Sequence, residues 1–591
     1  WTDVSGMFSA NPKVVKNAHP IESISYFEAM ELSHFGAKVL YPPTVQPVLD
    51  LEIPIHIKNT LNPSDKGTLI SKETGQTKNP VKGISHVGDI SLLTLEGNGM
   101  VGIPGFAKRL FETLAQEKIN VILITQASSE HSICFGVNTA DALRAKDTID
   151  LSFENEIELG KIDPIKVENE LSIVALVGDN MKNHQGISGK MFSTLGKNNI
   201  NIRAIAQGAS EKNISAVINK NDVKKALNSL HEIFFEGDIK QLNVFITGVG
   251  NVGERLVEQI RKQQNYLKTN LKINLRITGI SNSRTMIFNP QGIELDHWKE
   301  ELPEGEKADL NVFHKTVKTF NLRNSIFVDI TANEDVAKVY GKYLKESVAV
   351  VACNKIACSS KFDEYNSLKA LSRQYNAPFL FETNVGAGLP VIDTLNNLIS
   401  SGDKVTSIQA VLSGSLNFIF NNFDNNSKFS EIVQRAQDEG YTEPDPRIDL
   451  SGVDVARKIL ILARESGVAI NLEDIANTSF LTQNNLSADT VSDFYASLAS
   501  DETHFQNLFN DAKSKNSKLK YVAEFSDGKA KVGLKHIPTD HPFYNLEGKD
   551  NIVMFYTERY KDQPLIVKGA GAGAEVTASG LFSDIIRVGN K

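Results

Sequence analysis

Residues 95–133 and 176–214 align without a gap: LEGNGMVGIPGFAKRLFETLAQEKINVILITQASSEHSI lies over LVGDNMKNHQGISGKMFSTLGKNNINIRAIAQGASEKNI. Gly97/Gly178, Met100/Met181, Gly105/Gly186, Phe111/Phe192, Asn120/Asn201, Gln126/Gln207 and Glu130/Glu211 coincide at one constant offset. Two copies are too few for a solenoid, so the duplication points to paired small domains. Each copy reads as strand, loop and amphipathic helix, followed by an alternating apolar strand (INVILIT or INIRAIA), a polar turn and another strand. This is a βαββ-type unit. Gln126 and Gln207 close equivalent strands. An amide there either caps the turn or serves a ligand, donating to its carboxylate and accepting from its amine or hydroxyl.

The whole chain has 591 residues, room for about four domains. Its 41% hydrophobic and 23% charged residues are those of an ordinary globular protein. A net charge of −8 argues against nucleic-acid or anionic-membrane partners, and no apolar run approaches a membrane span. Cys134, Cys353 and Cys358 form neither a disulfide framework nor a metal-ligand spacing, which suits a reducing compartment. Small-molecule chemistry is the expectation.

After the repeat, QLNVFITGVGNVGERLVEQI sets Gly248, Gly250 and Gly253 between an apolar strand and a helical pattern. That context is the one in which G-x-G-x-x-G binds a dinucleotide pyrophosphate at a helix N-terminus. The next strand, LRITGISNSR, ends with no Asp or Glu for a ribose hydroxyl but with Arg284 nearby, favouring NADP(H), with NAD as the alternative. IFVDITA and VAVVACNK read as later parallel strands ending at Thr331 and Asn354–Lys355, where a doubly wound sheet meets its ligand. The segment YTEPDPRIDLSGVDVARK places Glu443, Asp445, Asp449 and Asp454 ahead of Lys458. Asp454 and Lys458, spaced i,i+4, share one face if the segment is helical. Such a segment is either a charged helix cap or a grip for a polar substrate with a proton donor. KGAGAGAEVTASGLFSDIIR adds a Gly-rich turn opening a terminal helix that returns to the nucleotide domain.

The duplicated unit resembles the ACT domain, a module that binds amino acids where two copies meet. The ordered set GVGNVG, CNK, NVGAGLPV, LSGSLNFIF, GYTEPDP, DLSGVDVARK and GAGAGAEVTASG resembles the bifunctional aspartokinase–homoserine dehydrogenases of the threonine-regulated type, over essentially the whole chain. WTDVSG, SYFEAMELSHFGAKVLYP and IPIHIKNTLNP look like the closing part of the aspartokinase catalytic domain.

The resemblance implies an α/β multidomain protein. Its expected parts are a partial aspartokinase domain (1–78), two ACT-like ferredoxin-like domains (79–160 and 161–238), a Rossmann NADP domain (239–375), an α+β substrate and dimerisation domain (376–560), and a returning segment (561–591). It implies reversible conversion of L-aspartate 4-semialdehyde to L-homoserine, with Lys458 as general acid and Lys355 as a second active-site lysine. Glu443, Asp454, Gly440 and Asp449 are the implied substrate contacts. Gly248, Gly250, Asn251, Val252, Gly253, Arg284, Thr331, Ala332, Lys355 and Gly573 are the implied cofactor contacts. Gln126 and Gln207 become L-threonine contacts. A monovalent cation, sodium in the family, would be held by the Glu382 carboxylate and the backbone of Val385, Ala387 and Leu389.

Thr2, Asp3, Phe8, Lys13 and Lys38 match kinase ATP contacts. Phe8, Lys13 and Tyr41 stand where the family has tyrosine, arginine and histidine, and its Lys-Phe-Gly-Gly opening is absent. ATP/Mg2+ chemistry is therefore expected only of a full-length parent. Ile448 replaces a usual acidic residue. A homodimer or homotetramer in the cytoplasm is expected, or in a plastid if a transit peptide precedes Trp1. The competing expectations are a non-catalytic threonine- and nucleotide-sensing scaffold, or another NAD(P)-dependent amino-acid dehydrogenase.

Overall fold

The computed structural model describes residues 1–591 except 35–38, 73–78, 127–130, 183, 209–211, 237–238, 425 and 591. The chain forms two compact units, Trp1–Gln241 with Asn321–Arg323, and Leu242–Phe320 with Asn324–Lys591.

The first unit opens with a small sheet of β1 (Ser23–Ile24), β2 (Ile55–Ile57) and β3 (Thr68–Ile70) in the order β1-β3-β2. The duplicated region builds one six-stranded sheet from β4 (Gly83–Glu96), β5 (Leu123–Gln126), β6 (Ser132–Asn138), β7 (Lys166–Val177), β8 (Ile202–Gln207) and β9 (Asn213–Asn219) in the order β5-β6-β4-β7-β9-β8. Each copy is βαββα rather than the expected βαββ. Helices Ala142–Ser152 and Val223–Phe235 close the copies, and they follow the stretch in which the two sequences align.

The copies exchange strand halves. The front of β4 (Gly83–Val87) runs antiparallel to the end of β7, which pairs on its other side with β9; the front of β7 runs beside the end of β4, which pairs with β6. Each three-stranded copy thus takes its fourth strand from the other, and neither long strand is left as an open edge. The crossover needs a bend in each strand. Asp89 (φ 56°) and Glu170 (φ 59°) supply it at equivalent positions, and the β4–β7 register shifts there as in a bulge. Gly97 and Gly178 have a related reason: a Cβ on the first would strike Lys161, and on the second Pro80, each just ahead of the partner copy's first strand. Met100 and Met181 fill the two helix-side cores.

Ala10 and Val15 share the core of the second copy, so the start of the chain, which also has a core of its own around Ile24 and Tyr26, packs against the duplicated sheet. Polar groups meet there too. His231, fully buried, lies 2.8 Å from Ser9 Oγ through Nε2 and 2.8 Å from Glu236 Oε1 through Nδ1. Despite its Ser-His-Glu order this group is closed to solvent and serves as a buried bond network. Arg323, 3% exposed, is paired with Glu232 at 2.7 Å and Glu236 at 3.2 Å, and donates to the Asn228 carbonyl at 2.7 Å. Burial raises the Glu232 carboxyl against the opposing pull of Arg323. For Glu236, burial is outweighed by the bonds from His231 and the charge of Arg323, which lower it.

The second unit contains two sheets. The first has the order β13-β12-β11-β10-β14-β15-β16, from β10 (Lys240–Thr247), β11 (Ile273–Ser281), β12 (Thr285–Phe288), β13 (Glu306–Lys307), β14 (Ser325–Asp329), β15 (Ala349–Ala352) and β16 (Phe379–Leu380). β10, β14, β15 and β16 are parallel neighbours in turn, and the strand order reverses between β10 and β14. Helices Asn251–Asn270 and Ala574–Asn590 pack on this sheet through Leu256, Val257, Ile260, Ala578, Leu581 and Ile585. The second sheet has the order β18-β20-β19-β17-β21-β22, from β17 (Val405–Val411), β18 (Ala476–Thr478), β19 (Ser517–Ser526), β20 (Lys529–Pro538), β21 (Asp550–Thr557) and β22 (Leu565–Ala570).

Two expected boundaries move. The break at 375/376 falls before β16, which completes the nucleotide sheet, and the break at 560/561 falls before β22, which pairs with β21 in the substrate sheet. Only the chain after Ala570 returns to the nucleotide sheet.

Removing one member of a buried ion pair strands the other charge, at a cost of about 3 kcal/mol. Arg323→Met is therefore expected to lower the urea midpoint of the first unit's transition; an unchanged midpoint would show that the pair contributes nothing net.

Candidate active site

The ends of β10, β14 and β15 meet at the strand-order reversal, and the G-x-G-x-x-G glycines serve three different needs there. Gly248 sits at φ 96°, and a Cβ would come within 2.8 Å of the Ile330 backbone. Gly253 lies against the Gly248 carbonyl, where a Cβ would collide, so helix Asn251–Asn270 packs tightly onto the turn. Gly250 has nothing within 4 Å of a Cβ. The open side of the turn thus faces the helix N-terminus, whose first N–H groups suit a pyrophosphate. Asn251 and Val252 form the first helical turn.

Arg284 is exposed beyond β11, on a turn held by Asn282 Oδ1, which accepts from the Arg284 N–H at 2.7 Å. No carboxylate residue stands between Ser281 and Arg284. Thr331 is half-buried and Ala332 exposed after β14. Their turn is braced by buried Asp329, which accepts from the Thr331 N–H at 2.7 Å, from Asn354 Nδ2 at 3.0 Å and from the Tyr340 hydroxyl at 2.5 Å. Burial raises the Asp329 carboxyl despite these bonds. Asn354 Nδ2 also donates to the Asn333 carbonyl at 2.9 Å, tying the β14 and β15 turns together. Gly573, at φ 122°, precedes the terminal helix.

Lys355 follows β15, while Asp454 and Lys458 lie on helix Val453–Glu465, and the fold brings the three together. Asp454 Oδ2 is 2.7 Å from Lys458 Nζ, and Oδ1 is 3.5 Å from Lys355 Nζ. Lys458, 8% exposed, also donates to the Leu412 carbonyl at 2.6 Å. Burial by itself would raise the Asp454 carboxyl; Lys458 and Lys355 outweigh it and hold the group well below the usual carboxylate range. For Lys458, burial lowers the ammonium pKa, and Asp454 offsets part of the shift. The helix start is close-packed, because a Cβ on Gly452 would strike the Tyr521 hydroxyl.

The loop ahead of this helix sorts its acids. Asp449 is half-buried and accepts from Ser415 Oγ at 2.8 Å and from the Glu443 N–H at 2.9 Å; burial raises its carboxyl. Glu443 keeps an exposed side chain. Asp445 caps helix Pro446–Leu450 and grips Arg447, which donates to the Ala488 and Asp489 carbonyls, so it shapes the loop. Gly440 ends helix Phe429–Asp438 at φ 74°, and Ile448 is exposed.

At the expected cation site the one charged ligand, Glu382, is already bonded within the protein. Glu382, 4% exposed, accepts from the Ile392 N–H at 2.7 Å, the Asp393 N–H at 2.9 Å and Arg587 Nη1 at 3.0 Å. Its carboxylate braces the start of helix Val391–Ser400 and Arg587, with one bond on Oε1 and two on Oε2, beside the Val385, Ala387 and Leu389 turn. The Leu389 carbonyl already accepts from the Val391 N–H. Among the described residues no group of three or more His, Cys, Asp or Glu side chains can hold a metal. A neighbouring cleft lined by Lys369, Glu382, Asp393, Glu465 and Arg587 contains neither active-site lysine, and those five groups are paired among themselves.

In the first unit, Gln126 and Gln207 are exposed at the ends of β5 and β8, the two edge strands, which approach one another. Gln207 Oε1 accepts from Ser188 Oγ at 3.0 Å. Of the kinase matches, Thr2 is half-buried and bridges to Asn59, Asp3 and Lys13 are exposed, and Phe8 bridges to Pro20. Lys38 lies outside the described residues.

Sequence reasoning missed Leu412, Ser415, Asp329 and Asn551. Ser415 stood within LSGSLNFIF and could have been singled out as a hydroxyl in a turn. The Leu412 contact is main-chain and leaves no signature.

Two glycine variants separate fold from cofactor binding. Gly248→Ala forces a left-handed alanine against the Ile330 backbone and is expected to destabilise the second unit by about 1–3 kcal/mol. Gly250→Val is expected to leave the melting temperature near wild type while weakening nicotinamide-cofactor binding at least tenfold by fluorescence titration. Unchanged cofactor affinity in Gly250→Val would exclude the turn as the phosphate site.

The family models follow the same division. Residues 248–382 match the homoserine dehydrogenase NAD binding domain, residues 390–586 homoserine dehydrogenase, residues 93–153 and 174–234 the ACT domain, and residues 1–59 the amino acid kinase family. A bifunctional aspartokinase/homoserine dehydrogenase of Haemophilus influenzae is 41% identical over 99% of this chain, which spans 72% of that protein. A chloroplastic relative of the same description from Arabidopsis thaliana is 41% identical over the full chain, which spans 65% of it. A crystal structure of a Candida auris protein of unknown function matches 60% of this chain and 99% of its own, with 34% identity and a TM-score of 0.55. With two nicotinamide-type and dehydrogenase segments behind a paired ACT sheet and a kinase segment, the chain belongs to the bifunctional aspartokinase/homoserine dehydrogenase family.

Proposed function

We propose that the second unit interconverts L-aspartate 4-semialdehyde and L-homoserine with NADPH as the preferred reductant, and that Lys458 is its proton donor. The observation that carries this reading is the setting of Lys458. An ammonium has three N–H donors; here two are directed at the Leu412 carbonyl and Asp454, leaving one for a substrate oxygen. The bound cofactor supplies a hydride to the aldehyde carbon. The remaining Lys458 N–H stabilises the developing oxyanion and passes its proton to it, completing the hydroxyl. Asp454 keeps Lys458 charged in its buried position. Lys355, which shares Asp454, would stand beside the bound nicotinamide. Glu443 and Asp449, on one loop with Gly440, are assigned to the substrate's amino group and hydroxyl. Arg284, with no acidic residue in its turn, supports the preference for a 2′-phosphate. No step is assigned to a cation.

The first unit is assigned to feedback control, with L-threonine bound through Gln126 and Gln207 at the edges of the shared sheet. Residues 1–59 carry only part of a kinase ATP site, so phosphorylation of L-aspartate with ATP and Mg2+ is assigned to a longer parent protein. Homo-oligomers and a cytoplasmic or plastid location remain the expected setting. No helix among the described residues is long and apolar enough to cross a membrane.

Lys458→Ala is expected to lower kcat for semialdehyde reduction by about 10²–10⁴-fold, with a smaller change in KM. In Asp454→Asn the influence that raises the Lys458 pKa is lost, so the protonated form disappears at lower pH and the alkaline limb of the reduction rate moves down. Normal kcat in Lys458→Ala removes this lysine from the mechanism.

Threonine supplies the regulatory test. Gln126→Ala and Gln207→Ala are expected to relieve inhibition while leaving the uninhibited rate unchanged; inhibition of undiminished depth and sensitivity in both variants refutes the effector assignment.

A further inference from the structure

We propose that Asn551 is a positioning residue for the dehydrogenase reaction, holding the Leu412 carbonyl that fixes Lys458 and linking it to the glycine turn at 571–573. The inference rests on the reading of Lys458 as proton donor and deepens it.

The Leu412 carbonyl accepts two bonds, from Lys458 Nζ at 2.6 Å and from Asn551 Nδ2 at 3.3 Å. Asn551 is fully buried near the start of β21. Val411 and Ile552 are still paired across β17 and β21, whereas at the next step the Asn551 side chain, not its backbone, reaches Leu412. The amide orientation follows from the partner: the swapped form would set two oxygens against each other.

The other end of the amide is the more telling. Asn551 Oδ1 is buried and has no hydrogen-bond partner among the described residues. An unmet buried acceptor is costly, and an apolar side chain of the same shape would avoid that cost. The bond this amide makes among the described residues is the one through its nitrogen. Gly571 lies directly on the amide: a Cβ there would collide with Asn551 Cγ and Nδ2. Two residues on is Gly573, the expected cofactor contact, at φ 122°. One side chain thus touches the turn expected beside the cofactor and the carbonyl that orients the proton donor.

Asn551→Leu frees the Leu412 carbonyl and is expected to lower kcat for semialdehyde reduction by about ten- to hundredfold, the scale for a misplaced reacting group. KM for the semialdehyde should stay within about twofold, because Glu443 and Asp449 lie on another segment. Asn551→Asp, nearly the same shape, places a carboxylate beside Lys458, whose charged neighbours are Asp454, Lys355 and Asp449. It should lower kcat and move the alkaline limb of the rate profile to higher pH. The limb reports the new charge near Lys458; the positioning role is read from kcat below that limb, which a purely structural asparagine would leave at the wild-type value. Melting temperature and NADPH fluorescence quenching check the fold, and if Asn551→Leu fails to fold, Asn551→Asp decides alone.

The proposal is overturned if the folded variants keep wild-type kcat below the alkaline limb while Lys458→Ala is inactive. If Lys458→Ala is itself fully active, the failure lies with the proton-donor reading.

Discussion

The second unit holds two lysines together with little water around one of them, an arrangement that depends on a shared anion. Lys458 and Lys355 reach the same carboxylate, Asp454, from two different elements. Unit charges about 4 Å apart interact by about 4 kcal/mol at an effective dielectric of 20, so a shared anion decides whether such a pair can stay charged. Burial of Lys458 pulls its proton away, and Asp454 opposes that pull. The other contacts are of a different kind. The Leu412 carbonyl turns the ammonium without cancelling its charge, and Asn354 with Asp329 braces the turns ahead of Lys355. The charge of Lys458 is thus supported by one carboxylate and its direction by a main-chain dipole.

The first unit solves a different problem by a related economy of parts. Two three-stranded copies would expose the edges of their long strands, and crossing those strands at Asp89 and Glu170 turns two open sheets into one continuous sheet. The symmetry has a chemical consequence. The crossing leaves β5 and β8 as the outer strands, so Gln126 and Gln207 end the two edges of one curved sheet rather than lying in two separate domains. The bends are made by single left-handed acidic residues, and the close approaches at Gly97 and Gly178 are matched across the duplication.

How much of this is legible from residues alone depends on the range of the cause. The i,i+4 spacing of Asp454 and Lys458 is a property of any helix and was readable directly, as were the strand-turn-helix setting of Gly248, Gly250 and Gly253 and the offset between the repeats. The strand exchange was not, because its pairing joins segments that each look like an ordinary strand. Glu382 shows the same limit. The family resemblance implied a cation ligand there, and only the fold shows that its carboxylate also braces the start of a helix and an arginine more than 200 residues away. The domain boundaries failed for a like reason, since β16 and β22 are short strands whose sheet membership is settled only by their neighbours.

The sequence by itself determined the parts: a duplicated ACT-like unit, a glycine turn between strand and helix, a helix carrying an acid and a lysine on one face, and the family those motifs imply. Tertiary structure alone decided that Lys355 meets Asp454, that a main-chain carbonyl aims Lys458, and that Asn551 holds that carbonyl. Local periodicity acts over a few residues and is written in residue type. Main-chain acceptors carry no residue identity, and ion pairs between distant segments exist only once the chain has folded to bring them within hydrogen-bond reach.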